Sequence, residues 1–132
     1  MRFLIVLLAM LSLPAALTGA AEQKSPARTG PFVAFCKEPI NAKACHDAVI
    51  TIDNYNRMVD MNMITPPAGF VRACTPWPPK YLQGAELRKY NAERRNKTVA
   101  AVLAWLNHHP EAKTRATDDG IQLAMRALYP CR

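Results

Sequence analysis

VAAVLAWLNHHPEAKTRATDDGIQLAMRALYPC, residues 99–131, contains two apolar stripes of helical period with a proline between them. Val99, Val102, Leu103 and Leu106 share one helix face. Pro110 closes that helix, because the residue before a proline avoids the helical region. Thr117 reads as the N-cap of the next helix, with Asp118 and Asp119 suited to its positive end. Ile121, Ala124, Met125 and Leu128 make its apolar face. Pro130 stops it, and Cys131 ties down the terminus.

Toward the N-terminus, Ala85 to Lys97 is charged and helix-permissive, and Glu93 can pair with Lys97 one turn on. The segment before it breaks helices. Thr65-Pro66-Pro67-Ala68-Gly69 is followed by Pro76, Pro78 and Pro79, so residues 65–84 read as an irregular loop pinned at Cys74. Loops this long in small domains are often functional. From Cys45 to about Met61, Ala48, Ile52, Tyr55 and Val59 recur at helical spacing, with Val49 widening the stripe. Met58, Met61 and Met63 are expected to fill gaps in the core rather than form a sticky surface. Phe32, Val33 and Phe35 suit one short helical turn or an extended stub, ended by Pro39. Residues 22–30 are polar and read as a loose arm. No strand pattern or internal repeat is evident. The expected fold is all-α: a small disulfide-stabilised helical bundle of three main helices plus a short N-terminal helix. At 132 residues the chain is too short for two ordinary domains.

The first residues read as an export signal. Arg2 is followed by an almost unbroken apolar run from Phe3 to Leu13, then Pro14 and the small residues Thr18 to Ala21. The run is shorter than the ~20 residues needed to span hydrocarbon. Cleavage is expected after Ala20 or Ala21, giving a signal peptide at 1–21, a single domain at 22–132, and no membrane attachment afterwards. Cys36, Cys45, Cys74 and Cys131 remain, an even count that argues for two disulfides in an exported chain. Of three connectivities, Cys36–Cys45 with Cys74–Cys131 is favoured slightly over the nested Cys36–Cys131 with Cys45–Cys74.

The full chain carries a formal charge of +7, and loss of Arg2 with the signal leaves +6. The excess suits an anionic surface or an acidic protein, while export argues against nucleic acid. Arg88, Lys89, Arg94, Arg95 and Lys97 form the strongest basic cluster, expected to be a solvated helix face. Catalysis has little support. Ser25 is the one serine left after the signal, and the cysteines serve as crosslinks. His46, Asp47, His108 and His109 lack metal-ligand spacing, so no metal or cofactor is expected. His108 and His109 read as a solvated helix end. Trp77 and Tyr81, on proline-stiffened backbone, would make binding anchors if exposed; burial of Trp77 beneath the loop is the competing expectation.

Val99 to Glu111, with Leu106-Asn107-His108-His109-Pro110-Glu111 at the helix end, is followed by Ala116, Leu123, Ala124, Ala127, Leu128, Tyr129, Pro130 and Cys131. This pattern resembles the C-terminal half of the periplasmic immunity proteins that neutralise type VI secretion amidase effectors, the Rap/Tai family. Ala73-Cys74-Thr75-Pro76 resembles their internal cysteine motif, and Cys36 and Cys45 stand where that family has its first two cysteines. Here His46-Asp47-Ala48-Val49 replaces the Gly/Tyr motif usual after the second cysteine, and the Cys74–Val99 segment is longer. The resemblance implies a non-enzymatic periplasmic inhibitor, homodimeric, whose partner is a cognate secreted peptidoglycan hydrolase with a blocked active-site groove. It points to the turn carrying His108, His109, Glu111, Lys113 and Arg115 as one contact region. The aromatic pair Trp77 and Tyr81 is the second. A periplasmic acid-stress-type chaperone and a secreted basic antibacterial protein are the rival functions.

Overall fold

A computed structural model describes residues 24–132; the expected signal peptide lies outside them. Among the described residues four α-helices form: α1 (Thr29–Phe35), α2 (Ala42–Asp60), α3 (Gly84–His108) and α4 (Thr117–Leu128). Short 3-10 turns at Pro39–Asn41 and Pro110–Ala112 lead into α2 and away from α3. Among the described residues there is no strand, only an isolated antiparallel bridge between Arg28 and Ala116. The protein is a small disulfide-stabilised helical bundle. Its core is Phe32 and Val33 from α1, Val49 from α2, Val102 and Leu106 from α3, and Ile121, Ala124 and Met125 from α4. The last three residues follow the apolar period that the sequence shows.

Two disulfides close this small core. Cys36–Cys45 joins the end of α1 to the first turn of α2, and Cys74–Cys131 joins the long loop to the chain end. Their Cα separations, 5.7 and 5.0 Å, lie in the ordinary range for disulfides.

Several expectations are corrected. The segment at residues 24–28 is not a loose arm. Ala27 accepts a hydrogen bond from the Thr117 backbone N–H at 3.0 Å, and the Arg28 guanidinium donates to the Thr114 carbonyl at 2.8 Å. Thr117 is not the N-cap of α4; Ala116 holds that place. The Thr117 hydroxyl instead donates to the Pro26 carbonyl at 2.6 Å, so the arm takes the group that would have capped the helix. The inward face of α2 is rotated from the expected one. Cys45, Val49, Asp53 and Asn56 are buried, whereas Ala48, Ile52, Tyr55 and Val59 are only partly covered. Periodicity misses this face because two of its residues are polar. Met61 and Met63 do not fill the core; both are exposed just beyond α2. Glu93 meets Lys89 at 4.0 Å instead of Lys97.

The approach of α1 to α4 depends on one glycine. Thr29 is fully buried, and its hydroxyl lies 3.2 and 3.1 Å from the carbonyl oxygens of Arg115 and Ala116. A Cβ on Gly120 would stand 2.8 Å from Thr29 Cγ2 and 3.0 Å from Thr29 Cβ. Alanine normally stabilises a helix over glycine by about 0.5–1 kcal/mol. Here Gly120→Ala should instead destabilise by roughly 1–3 kcal/mol, the scale of overpacking. Thr29→Ala in the same chain should recover part of the loss. Urea denaturation checks this; a gain in stability from Gly120→Ala alone would show that the helices part at little cost.

Candidate functional site

The most constrained part of the surface is the loop between α2 and α3, because its backbone rests on a buried polar network. Asp53 is 0% exposed. Its carboxylate accepts from the Thr75 hydroxyl at 2.6 Å, Arg94 Nη1 at 2.9 Å and Arg57 Nε at 3.4 Å. Burial lowers the pKa of Arg57; Asp53 opposes the shift, and the second guanidinium, Arg94, adds to it. Arg57 also donates to the Pro76 carbonyl at 2.8 Å. One turn along α2, Asn56 and Gln122 exchange amide hydrogen bonds at 2.7 and 3.0 Å. Asn56 Oδ1 accepts from the Ala73 N–H at 2.7 Å, and Gln122 donates to the Val71 carbonyl at 2.8 Å. Cys74 adds its disulfide and a backbone bond to Tyr129 at 2.8 Å. Residues 71–76 are thereby fixed at almost every step.

Trp77 follows directly. It is not buried beneath the loop: 48% of it is exposed. Its indole N–H donates to Asp60 at 3.0 Å, and the Arg57 guanidinium lies 4.5 Å from the ring centroid, a cation–π contact. One ring face is thus held while the other edge meets solvent. Asp60 also pairs with Arg72. Tyr81, 79% exposed, stands in a turn closed by the bond from Leu82 N–H to the Pro79 carbonyl. Among the described residues the large exposed apolar side chains are Ile40, Met61, Met63, Val71, Trp77 and Tyr81. All but Ile40 belong to the end of α2 or the loop after it.

The turn from His108 to Arg115 is built differently. Ala112 is fully buried, and the Gly30 and Thr29 N–H groups donate to the carbonyls of Lys113 and Arg115, both at 3.0 Å. His108, Glu111, Lys113 and Arg115 are exposed. His109 is not a free, solvated helix end: its ring stacks on Trp105 at 3.6 Å, and Nδ1 lies 2.7 Å from the Trp105 carbonyl, to which it donates. The two expected contact regions are not brought together. The turn is bonded to the arm and α1, which is crosslinked to the first turn of α2, whereas Trp77 rests on the last. The 19 residues of α2 place roughly 25 Å between these ends.

The basic cluster also divides. Arg88, Lys89, Arg95 and Lys97 are exposed, but Arg94 is a core cation. His46 lies beside Asp47, away from His108 and His109, and Asp47 takes a second contact from Lys43. The Lys43 ammonium and then His46 hold the Asp47 carboxyl below its ordinary value. Among the described residues no group of three or more His, Cys, Asp or Glu is placed to hold a metal ion. No described helix is long and apolar enough to cross a membrane. The disulfides fit an oxidising compartment. Sequence reasoning missed Asp53, Asn56 and Gln122, whose signal was faint: an Asp and an Asn on the inner side of an otherwise amphipathic helix. Comparison with protein-family models, with characterised proteins and with solved structures finds no match.

Proposed function

We propose that this chain is a non-enzymatic protein-binding module, exported to the periplasm, that inhibits a cell-wall-degrading effector of the amidase type. The class of partner rests on the resemblance of residues 99–131 and the cysteine positions to the Rap/Tai immunity proteins. The observation that carries the binding role is the exposure of Trp77 and Tyr81 just after backbone that Asp53, Asn56 and the Cys74–Cys131 bond hold rigid. An aromatic already held in place, as Trp77 is by Asp60 and Arg57, loses little entropy on association. The net positive charge suits an acidic rim on the partner. The His108–Arg115 turn, polar and at the far end, is a second contact region on this reading, and a homodimer would present both surfaces twice.

Single substitutions at the two regions separate their roles. Trp77→Ala should weaken effector binding by about 2 kcal/mol or more, as expected for a central anchor. Tyr81→Ala should have a smaller effect, and Lys113→Ala should change mainly the association rate. Titration calorimetry on oxidised mature protein, with helix content checked by circular dichroism, reads these changes. Wild-type affinity in Trp77→Ala and Tyr81→Ala, with loss from the turn variants, would move the principal anchor to the other end of the bundle.

A further inference from the structure

Beside the pinned loop lies a groove of about 270 Å³, bounded by Pro76, Tyr90, Arg94, Lys97, Thr98 and Tyr129. The charges beneath it do not balance. Asp53 is a single buried carboxylate between two guanidiniums, Arg94 with 9% and Arg57 with 12% of the side chain exposed. Arg94 Nε is buried and has no hydrogen-bond partner. Among the described residues no carboxylate pairs with Lys97, because Glu93, which also borders the groove, meets Lys89 instead. A mostly buried cation excess is costly unless an anion completes it. Pro76 and the rings of Tyr90 and Tyr129 give the groove apolar walls.

We infer that this groove binds a carboxylate carried on an apolar body, its head between Arg94 and Lys97 and its body against Pro76, Tyr90 and Tyr129. A guanidinium suits a carboxylate because its planar donors match the two oxygens. The same chemistry is offered by a free fatty or aromatic acid and by the C-terminus of a peptide ending in an apolar residue. The site is distinct from the Trp77 surface and does not depend on the inhibitor reading.

The test is an amide NMR titration of oxidised mature protein with hexanoate and with the free acid of acetyl-Ala-Leu, against hexanamide, the amidated dipeptide and acetate. Saturable shifts centred on Tyr90, Lys97, Thr98 and Tyr129 are expected for both acids. The neutral amides and acetate should bind about tenfold more weakly or worse, the scale of one lost charge-assisted contact or of the lost apolar body. The tighter of the two acids identifies the source. Lys97→Glu, at an exposed position, should abolish the shifts without altering the rest of the spectrum. The inference is overturned if no acid gives saturable shifts at millimolar concentration. It is equally overturned if amides or acetate bind as well as the acids, or if Lys97→Glu leaves binding unchanged.

Discussion

Asp53→Ala should destabilise the oxidised protein by about 3–5 kcal/mol, the scale of breaking a buried ion pair from one side. The substitution removes the acceptor of Thr75 and leaves Arg57 and Arg94, both mostly buried, facing each other. Their mutual repulsion then has nothing to offset it. Arg94→Met in the same chain should recover much of the loss, because an apolar side chain in place of a buried charge is often neutral. Asp53→Asn should fall between, keeping an acceptor but no charge. Urea denaturation of the three variants reads the order. A loss under about 1 kcal/mol for Asp53→Ala would mean that water reaches the two arginines and that the loop is held mainly by Asn56 and the disulfide.

The two disulfides should contribute unequally. Cys74–Cys131 spans 57 residues and Cys36–Cys45 spans 9. If a crosslink acts by restricting the unfolded chain, these separations correspond to roughly 4 and 2.5 kcal/mol. The double substitution Cys74→Ala with Cys131→Ala should therefore cost more than Cys36→Ala with Cys45→Ala. It should also loosen residues 71–76 in part, since the disulfide backs the bond from Cys74 to Tyr129, while Asn56 and Asp53 still hold Ala73 and Thr75. Thermal denaturation of the two pairs, with hydrogen exchange at Ala73 to Thr75, checks both statements. An equal or reversed order would show that strain or unfolded-state structure outweighs loop closure.

The helices that a single apolar period defines were legible. Ile121, Ala124 and Met125 are buried as their spacing requires, and Pro110 stands just after the end of α3. The face of α2 was not, because Asp53 and Asn56 point inward and hydropathy counts both as outward. Their burial is compensated by partners up to 66 residues away, such as Gln122, which no local pattern reveals. The docked arm was illegible for the same reason: Pro26 and Ala27 present ordinary carbonyls, and only the fold brings Thr117 to them. At the candidate surface, Trp77 and Tyr81 were identified from chemistry, while the exposure of Met61 and Met63 follows from where α2 ends. Met61 is its C-cap, beyond the turns that pack on the bundle.

The proposed function requires that this rigid loop bind a protein partner that degrades cell wall. The most direct test is peptidoglycan hydrolysis by any secreted hydrolase found to be encoded beside this gene, assayed with and without the oxidised mature chain. Hydrolysis should stop at stoichiometric amounts of the protein, and Trp77→Ala should restore much of it while leaving the helix content unchanged. Full hydrolysis in the presence of excess wild-type protein, or a gene neighbourhood with no such hydrolase, would contradict the account.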